Sequence, residues 1–112
     1  MLKKTFRLSS SKDIKTTSLR GRSFFSPYFV VKYIAAPSPR FTVIVSTKVS
    51  KRAVERNRIK RIVREAIRHS LPAYKPGDYV VIVKVRAAGK TAADIKQQLD
   101  QLLISTRLKA RT

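Results

Sequence analysis

The sequence predicts an α/β two-layer sandwich: a small mixed sheet, a long basic helix in a β-α-β crossover, and short helices toward both ends. Two observations lead to this prediction. The stretch 46–70 carries aliphatic residues at the spacing of one helix face, namely Ile59, Ile62, Val63, Ala66 and Ile67. It lies between two β-prone runs, 41–47 and 79–85, so that strand, helix and strand follow one another.

Three stretches are rich in the β-branched and aromatic residues that favour strands: 28–35, 41–47 and 79–85. The first two are joined by a turn with two prolines, which predicts an antiparallel hairpin. The third is almost continuously apolar, the pattern of an interior strand. Alternation along 28–35 predicts two largely apolar faces, Phe29, Val31 and Tyr33 on one and Tyr28, Val30, Lys32 and Ile34 on the other.

The end helices are predicted from capping residues. Ser11 is expected to cap a helix over about 12–19, which ends at Gly21. Thr91 with Asp94 three residues on resembles a capping box for the last helix. That helix carries one apolar face, Ile95, Leu99, Leu102 and Leu103. Beyond it, the basic end with Arg107, Lys109 and Arg111 is expected to fray.

Length and charge restrict the class of protein. A chain of 112 residues predicts a single domain over 1–112. A net charge of +20 indicates a polyanionic partner, nucleic acid before an anionic membrane. No apolar run approaches the ~20 residues of a membrane span, and the basic start lacks the apolar core of a secretory signal. Zero cysteines fit a reducing cytosol, so we expect a cytoplasmic protein.

The stretch 46–70 carries nine basic side chains against Glu55 and Glu65. On a helix, four polar residues fall within about 60° of one another, opposite the apolar stripe, and span roughly 16 Å; they are Asn57, Arg61, Arg64 and Arg68. A solvated surface helix usually mixes charges of both signs, whereas this one is nearly all positive. The pattern therefore favours a cationic helix face that binds a polyanion.

The sequence does not indicate that the protein itself is a catalyst. Its six carboxylates are scattered, whereas a two-metal nuclease needs several that converge to hold ions ~4 Å apart. The single histidine, His69, ends the basic helix and has no evident partner as a catalytic base. We therefore predict no catalytic residue and no metal ligand in this chain.

The basic helix also carries a family signature: Ala53, Arg56-Asn57-Arg58, Ile59, Lys60-Arg61 and Arg64. It closely resembles that of the protein subunit of bacterial ribonuclease P. The likeness covers nearly the whole chain, including the opening LKKTFRLSSSKDIK and the strands FTVIVSTKVS and GDYVVIVKV. The resemblance implies a left-handed crossover, although such connections are right-handed as a rule.

The resemblance also implies a function. In that family the RNA subunit performs Mg²⁺-dependent hydrolysis that removes the 5′ leader of precursor tRNA, while the protein binds the RNA and holds the leader in a cleft. We therefore expect a non-catalytic subunit of an endoribonuclease. Its partners would be ribonuclease P RNA and precursor tRNA, with no membrane and no obligate protein partner. Mg²⁺ would act with the RNA subunit.

Two groups of site residues follow from the resemblance. The expected RNA-binding residues are Lys48, Lys51, Arg52, Arg56, Asn57, Arg58, Lys60, Arg61, Arg64 and Arg68. The expected leader cleft contains Ile14, Tyr28, Val30, Lys32 and Tyr33. The family commonly has phenylalanines where this chain has Ile14 and Ser18, and an aromatic residue at Lys32. Tyr28 or Tyr33 is a candidate substitute for that aromatic residue, and the favoured alternative is that both are ordinary sheet tyrosines. Leader binding is thus expected to depend more on Lys32 and backbone contacts than on stacking.

The sequence is also compatible with two other functions. A stand-alone RNA-binding module, similar to a ribosomal protein, fits the composition alone, and DNA binding ranks third. An Arg56 and Arg58 double alanine variant is expected to lose processing activity with its fold intact if the helix binds the catalytic RNA.

Overall fold

The computed structural model describes residues 4–110 and confirms the predicted α/β sandwich. Its strands and α-helices are, in order, α1 (Ser11–Arg20), β1 (Arg22–Phe25), β2 (Phe29–Ala35), β3 (Arg40–Ile44), α2 (Ala53–His69), β4 (Gly77–Val83) and α3 (Ala92–Ser105). Short 3-10 turns occupy Lys4–Phe6, Leu71–Ala73 and Val85–Ala87.

The sheet has the strand order β1-β2-β4-β3. β2 is antiparallel to both β1 and β4, whereas β3 and β4 are parallel neighbours joined through α2. The predicted β-α-β unit is therefore present, and its left-handedness stays a prediction. Because parallel strands need a crossover connection, α2 links β3 to β4, and it buries Ile59, Val63 and Ile67 in the core.

The predicted hairpin between the first two long strands is wrong, because β4 lies between β2 and β3. β4 is apolar on both faces, and Val80 and Val81 are almost completely buried. A central position in the sheet buries both of these apolar faces, which stabilises the fold more than an edge position would. Two strand spacings amount to roughly 10 Å, which the connection over 36–39 can span. Its two prolines also disfavour a tight hairpin turn.

Helices cover the two faces of the sheet unequally. α2 and α3 pack on one face and bury Ile59, Val63, Ile95 and Leu99 against strand residues such as Val81. α1 packs on the other face against β2 and β4, where Thr17 and Val80 are buried. The main core thus lies under α2 and α3, and a smaller contact lies under α1.

The ends of the helices agree with the predicted caps to within one residue. Ser10, not Ser11, caps α1 and accepts a hydrogen bond from the Asp13 amide. Thr91 caps α3 by accepting one from the Asp94 amide, as predicted.

The prediction that the basic end frays is wrong for the described residues. Leu108 is 3% exposed, and the backbone at Lys109 pairs with Tyr74. Lys109 Nζ lies 2.6 Å from Asp100 Oδ1, and its ammonium group is buried over the Tyr74 ring. Burial of Leu108 and the aliphatic stem of Lys109 holds this segment on the core. Arg111 lies outside the described residues.

Candidate nucleic-acid interface

The orientation of α2 follows from its apolar face. Ile59, Val63 and Ile67 are all 0% exposed and pack into the core. Residues on the opposite side of the helix must then point away from the sheet. This is where the predicted cationic residues lie, and Asn57, Arg61, Arg64 and Arg68 are all exposed. We call these four residues the basic face.

Three members of the basic face are unpaired within the described part of the chain. No hydrogen bond or ion pair joins the side chain of Asn57, Arg61 or Arg64 to another described group of residues 4–110. Together with the exposed Val54 they line one shallow depression along α2. Arg68 differs, because its guanidinium lies 2.9 Å from Glu65 and lowers the pKa of that carboxyl well below its usual range.

The two arginines of the Arg-Asn-Arg motif already have partners in the protein. Arg56 donates from Nη1 to the Ser50 carbonyl at 3.0 Å. Arg58 forms an ion pair with Glu55, and this contact lowers the pKa of the Glu55 carboxyl. Arg58 also donates from Nη2 to the Lys90 carbonyl at 3.0 Å. Both side chains therefore hold neighbouring loops against α2, whereas Asn57 between them is exposed.

The remaining predicted RNA-binding residues extend this surface. Lys48, Lys51 and Arg52 are exposed in the loop that precedes α2, and Lys60 is half-buried on the side of the helix. The loop is closed by the Ser50 hydroxyl, which accepts a hydrogen bond from the Arg52 amide. The structure thus places all ten predicted residues on α2 or at its N-terminal end, and their role in RNA binding stays a prediction.

The predicted leader-cleft residues divide into two groups. Val30 and Lys32 lie on the α1 side of the sheet, where Lys32 Nζ donates to the Ser18 carbonyl at 3.0 Å. Ile14 lines a hollow of about 290 Å³ between α1, β3 and α2, together with Arg7 and Arg64. This hollow connects the α1 side of the sheet with the basic face. Arg7 was not among the predicted residues, since nothing local distinguishes it from other N-terminal cations.

Tyr33 and Tyr28 are not brought to that surface. Tyr33 lies on the opposite face, with its ring centroid 5.0 Å from that of Tyr79 and its hydroxyl donating to the Pro76 carbonyl at 2.7 Å. Tyr28 precedes β2 after the turn at Ser26 and lines a surface near Lys90. Both side chains pack against the hydrophobic core, and a role of either tyrosine in leader binding stays a prediction.

The carboxylates and the histidine do not cluster in the described residues. Between residues 4 and 110, no three His, Asp or Glu side chains lie together as a metal site requires. His69 does have a neighbour, since its Nε2 lies 3.8 Å from Glu65 one turn earlier. In the same part of the chain, no helix is long and apolar enough to cross a membrane.

The fold and the basic face define the chain as a small basic α/β protein with one cationic helix face. A family model described as Ribonuclease P matches residues 2–107, so the chain belongs to the ribonuclease P protein family. The ribonuclease P protein component of Exiguobacterium sp. is 37% identical over 101 residues, which cover 88% of this chain and 87% of that one.

Two further likenesses agree with this family. The component from Xanthomonas euvesicatoria is 48% identical over 65 residues, 58% of this chain, and the match spans only 45% of that longer protein. The solved structure of the Staphylococcus aureus RNase P protein superimposes with a TM-score of 0.87 at 26% identity, covering 93% of this chain and 97% of that one. Membership of the family implies ribonuclease P RNA as a partner.

Proposed function

We propose that this protein is the non-catalytic protein subunit of ribonuclease P in 5′ maturation of tRNA. It binds the catalytic RNA through α2 and its preceding loop, and it holds the 5′ leader of precursor tRNA on the α1 side of the sheet. The RNA subunit carries out the Mg²⁺-dependent cleavage. Its place of action is the cytoplasm.

The observation that carries this proposal is the unpaired part of the basic face. The side chains of Asn57, Arg61 and Arg64 keep their donors available, because no described protein group within residues 4–110 uses them. Arginine donors in a planar fork suit phosphate oxygens. Each phosphate contact releases a counter-ion, so affinity for RNA is expected to fall steeply with salt. The charge of +20 also reduces repulsion between two RNA molecules.

The hollow beside Ile14 supports a role in substrate binding. It places Arg64 of the basic face next to the α1 side of the sheet, where Lys32 is held. A strand bound near Lys32 and an RNA bound to α2 can therefore lie on adjacent surfaces of one protein. This arrangement suits a subunit that brings a substrate leader close to a catalytic RNA.

The residues of this chain do not fit a magnesium site of their own. Five of its six carboxylates are already ion-paired with arginine or lysine in the described residues: Asp13 and Asp78 with Arg40, Glu55 with Arg58, Glu65 with Arg68, and Asp100 with Lys109. Mg²⁺ prefers oxygen ligands that are free to complete an octahedron. We therefore assign the metal of the proposed reaction to RNA phosphates and derive no step through it in the protein.

Reconstitution tests this function. The purified protein is mixed with a bacterial-type ribonuclease P RNA and a 5′-extended precursor tRNA at low Mg²⁺ and moderate salt. We expect the protein alone to be inert and the mixture to cleave accurately at the mature 5′ end. A protein that binds both RNAs and never promotes cleavage would instead be a stand-alone RNA-binding module.

A further inference from the structure

Two hollows meet on the outer side of α3. One, of about 590 Å³, follows the helix for roughly 12 Å, from Gln97 to Ser105. The other, of about 530 Å³, lies beyond the end of the helix, against residues of the segments 73–76 and 107–110. Ile104 is half-buried and lines both hollows, so they adjoin at this residue. We call the two hollows together the α3 groove.

The second half of the α3 groove is built by two segments that are tied to each other. The Lys75 amide donates to the Leu108 carbonyl at 2.8 Å. The Ala110 amide donates to the Ala73 carbonyl, also at 2.8 Å. From the core, the Tyr79 hydroxyl donates to the Lys75 carbonyl at 2.6 Å and lies 3.3 Å from that of Leu108. This end of the groove is therefore preformed, which lowers the entropic cost of binding a ligand there.

Two cations at this end have side chains without a partner among the described residues. Lys75 and Arg107 are exposed, and no hydrogen bond or ion pair joins their side-chain nitrogens to another described group. A third cation, Lys109, is 5% exposed and is balanced by Asp100 at 2.6 Å. Arg107 also holds a φ of 62°, which glycine adopts with less strain. An unpaired arginine at a strained position favours a role in binding.

The middle of the α3 groove is aliphatic and offers no aromatic surface for a base. Tyr74 lines the second hollow but is only 6% exposed, so its ring faces are covered by the protein. The depression thus suits an aliphatic side chain better than a nucleobase, which binds by stacking. The other apolar residues that line it are Ala73, Pro76, Ile104 and Ala110.

The charges of α3 also disfavour RNA along the groove. Of the three α-helices, α3 is the one with more carboxylates than cations, since it has Asp94 and Asp100 against Lys96. A polyanionic strand that followed the helix would approach these carboxylates. The residues that line the groove belong to α3 and to the segments 73–76 and 107–110, and thus differ from those of the basic face and of α1.

We propose that the α3 groove is a docking site for a protein partner, which it binds through an acidic segment that combines aliphatic side chains with carboxylates. An aliphatic side chain packs on Ile104, and a carboxylate accepts hydrogen bonds from Lys75 and Arg107. This inference goes beyond the proposed function, because the groove is built from other residues than the surfaces assigned to the catalytic RNA and the leader. A partner docked there leaves both of those surfaces open.

The test titrates two fluorescein-labelled peptides into the full-length protein. One peptide alternates leucine with glutamate, and the other alternates serine with glutamate, so the two carry equal charge and only the first has aliphatic side chains. Amide shifts in NMR spectra locate each peptide, and fluorescence anisotropy measures its affinity. The variant is Lys75→Ala with Arg107→Gly. Lys12→Ala with Lys15→Ala is the matched control, because it removes the same charge from exposed positions on α1.

We expect the leucine peptide to shift amides of the segments 73–76 and 97–110 and to bind more tightly than the serine peptide. Lys75→Ala with Arg107→Gly should weaken its binding about fivefold to tenfold, and the control variant should bind it nearly as the wild type does. Glycine is favoured at position 107, so the loss is not expected to come from unfolding. The leucine peptide should also stay bound when ribonuclease P RNA is added.

Four results would overturn the proposal. The absence of shifts at the groove shows that the peptide does not dock there. Equal binding of the two peptides, or an equal loss in the two double variants, shows attraction by net charge alone. Displacement of the leucine peptide by ribonuclease P RNA makes the groove a further RNA contact. The titration of the protein alone involves no cleavage, so it still tests the groove if reconstitution contradicts the proposed function.

Discussion

At the scale of single residues, the structure separates arginines that hold the protein from those that are available to a ligand. Arg56 and Arg58 donate to the Ser50 and Lys90 carbonyls, whereas the guanidinium groups of Arg61 and Arg64 have no hydrogen-bond or ion-pair partner among the described residues. An Arg56 and Arg58 double alanine variant is therefore expected to loosen both loops, contrary to the assumption of an intact fold. Arg61 and Arg64 are the better probes of RNA binding.

The Arg61→Ala and Arg64→Ala double variant should bind ribonuclease P RNA more weakly with an unchanged free energy of unfolding. The loss of two phosphate contacts should reduce the slope of log affinity against log salt by roughly 1.4 to 1.8. Filter binding over a salt series measures this slope. Lys12→Ala with Lys15→Ala removes the same charge from the outer side of α1 and serves as control. An equal loss in both double variants would show that only net charge matters.

Arg107 is the non-glycine residue with positive φ among those described, at 62°. It follows α3, and the Leu108 and Lys109 amides both donate to the Leu103 carbonyl, a helix end that favours glycine. Arg107→Gly should therefore stabilise the protein by about 0.5–1 kcal/mol. Denaturant unfolding measures the change.

Gly89→Ala is the opposite substitution, because Gly89 has a φ of 72° and open space where a Cβ would stand. It should destabilise the protein by about 1 kcal/mol through backbone strain alone. If Arg107→Gly instead lowers the free energy of unfolding, the Arg107 side chain has a contact that stabilises the protein by more than its positive φ destabilises it.

At the scale of elements, one arginine links α1 to β3 and β4, in addition to the hydrogen bond from Lys32 on β2 to the Ser18 carbonyl. Arg40 on β3 donates to both oxygens of Asp78 and lies 3.5 Å from Asp13 on α1. The Asp78 side chain is only 9% exposed, so removing Arg40 leaves a buried carboxylate without its partner. These contacts therefore help to hold α1 against the sheet.

Arg40→Ala should destabilise the protein by about 2 kcal/mol, a value reduced for the partial exposure of Arg40. Hydrogen exchange of the α1 amides should increase more than that of the α3 amides. Arg40→Lys keeps the charge and should recover part of the stability, although it loses the two-oxygen contact. Uniform exchange across both helices would contradict a local role for Arg40 in holding α1.

At the scale of the whole molecule, the net charge of +20 repels itself in the folded state. Salt screens this repulsion over ~10 Å at 0.1 M. The melting temperature should therefore rise between 50 and 500 mM NaCl, while affinity for RNA falls over the same range. Calorimetry and binding measured in the same buffers test both trends. A melting temperature that falls with salt would show that ion pairs such as Lys109–Asp100 outweigh the repulsion.

The sequence by itself determined the parts of this protein that depend on local spacing. The helix over Ala53–His69, its basic face, the Thr91 cap and the buried character of β4 all follow from residues a few positions apart. The family signature lies on this helix and was recognisable for the same reason.

Only the tertiary structure decided which distant residues are neighbours. Strand order placed β4 beside β2, faced Tyr33 toward Tyr79 and aligned Phe25 with Ile44 across four strands. It also gave Arg56 and Arg58 their carbonyl partners and buried Lys109. These contacts are set by the packing of whole elements, in which burial of β4 on both faces outweighs the preference of consecutive strands to pair.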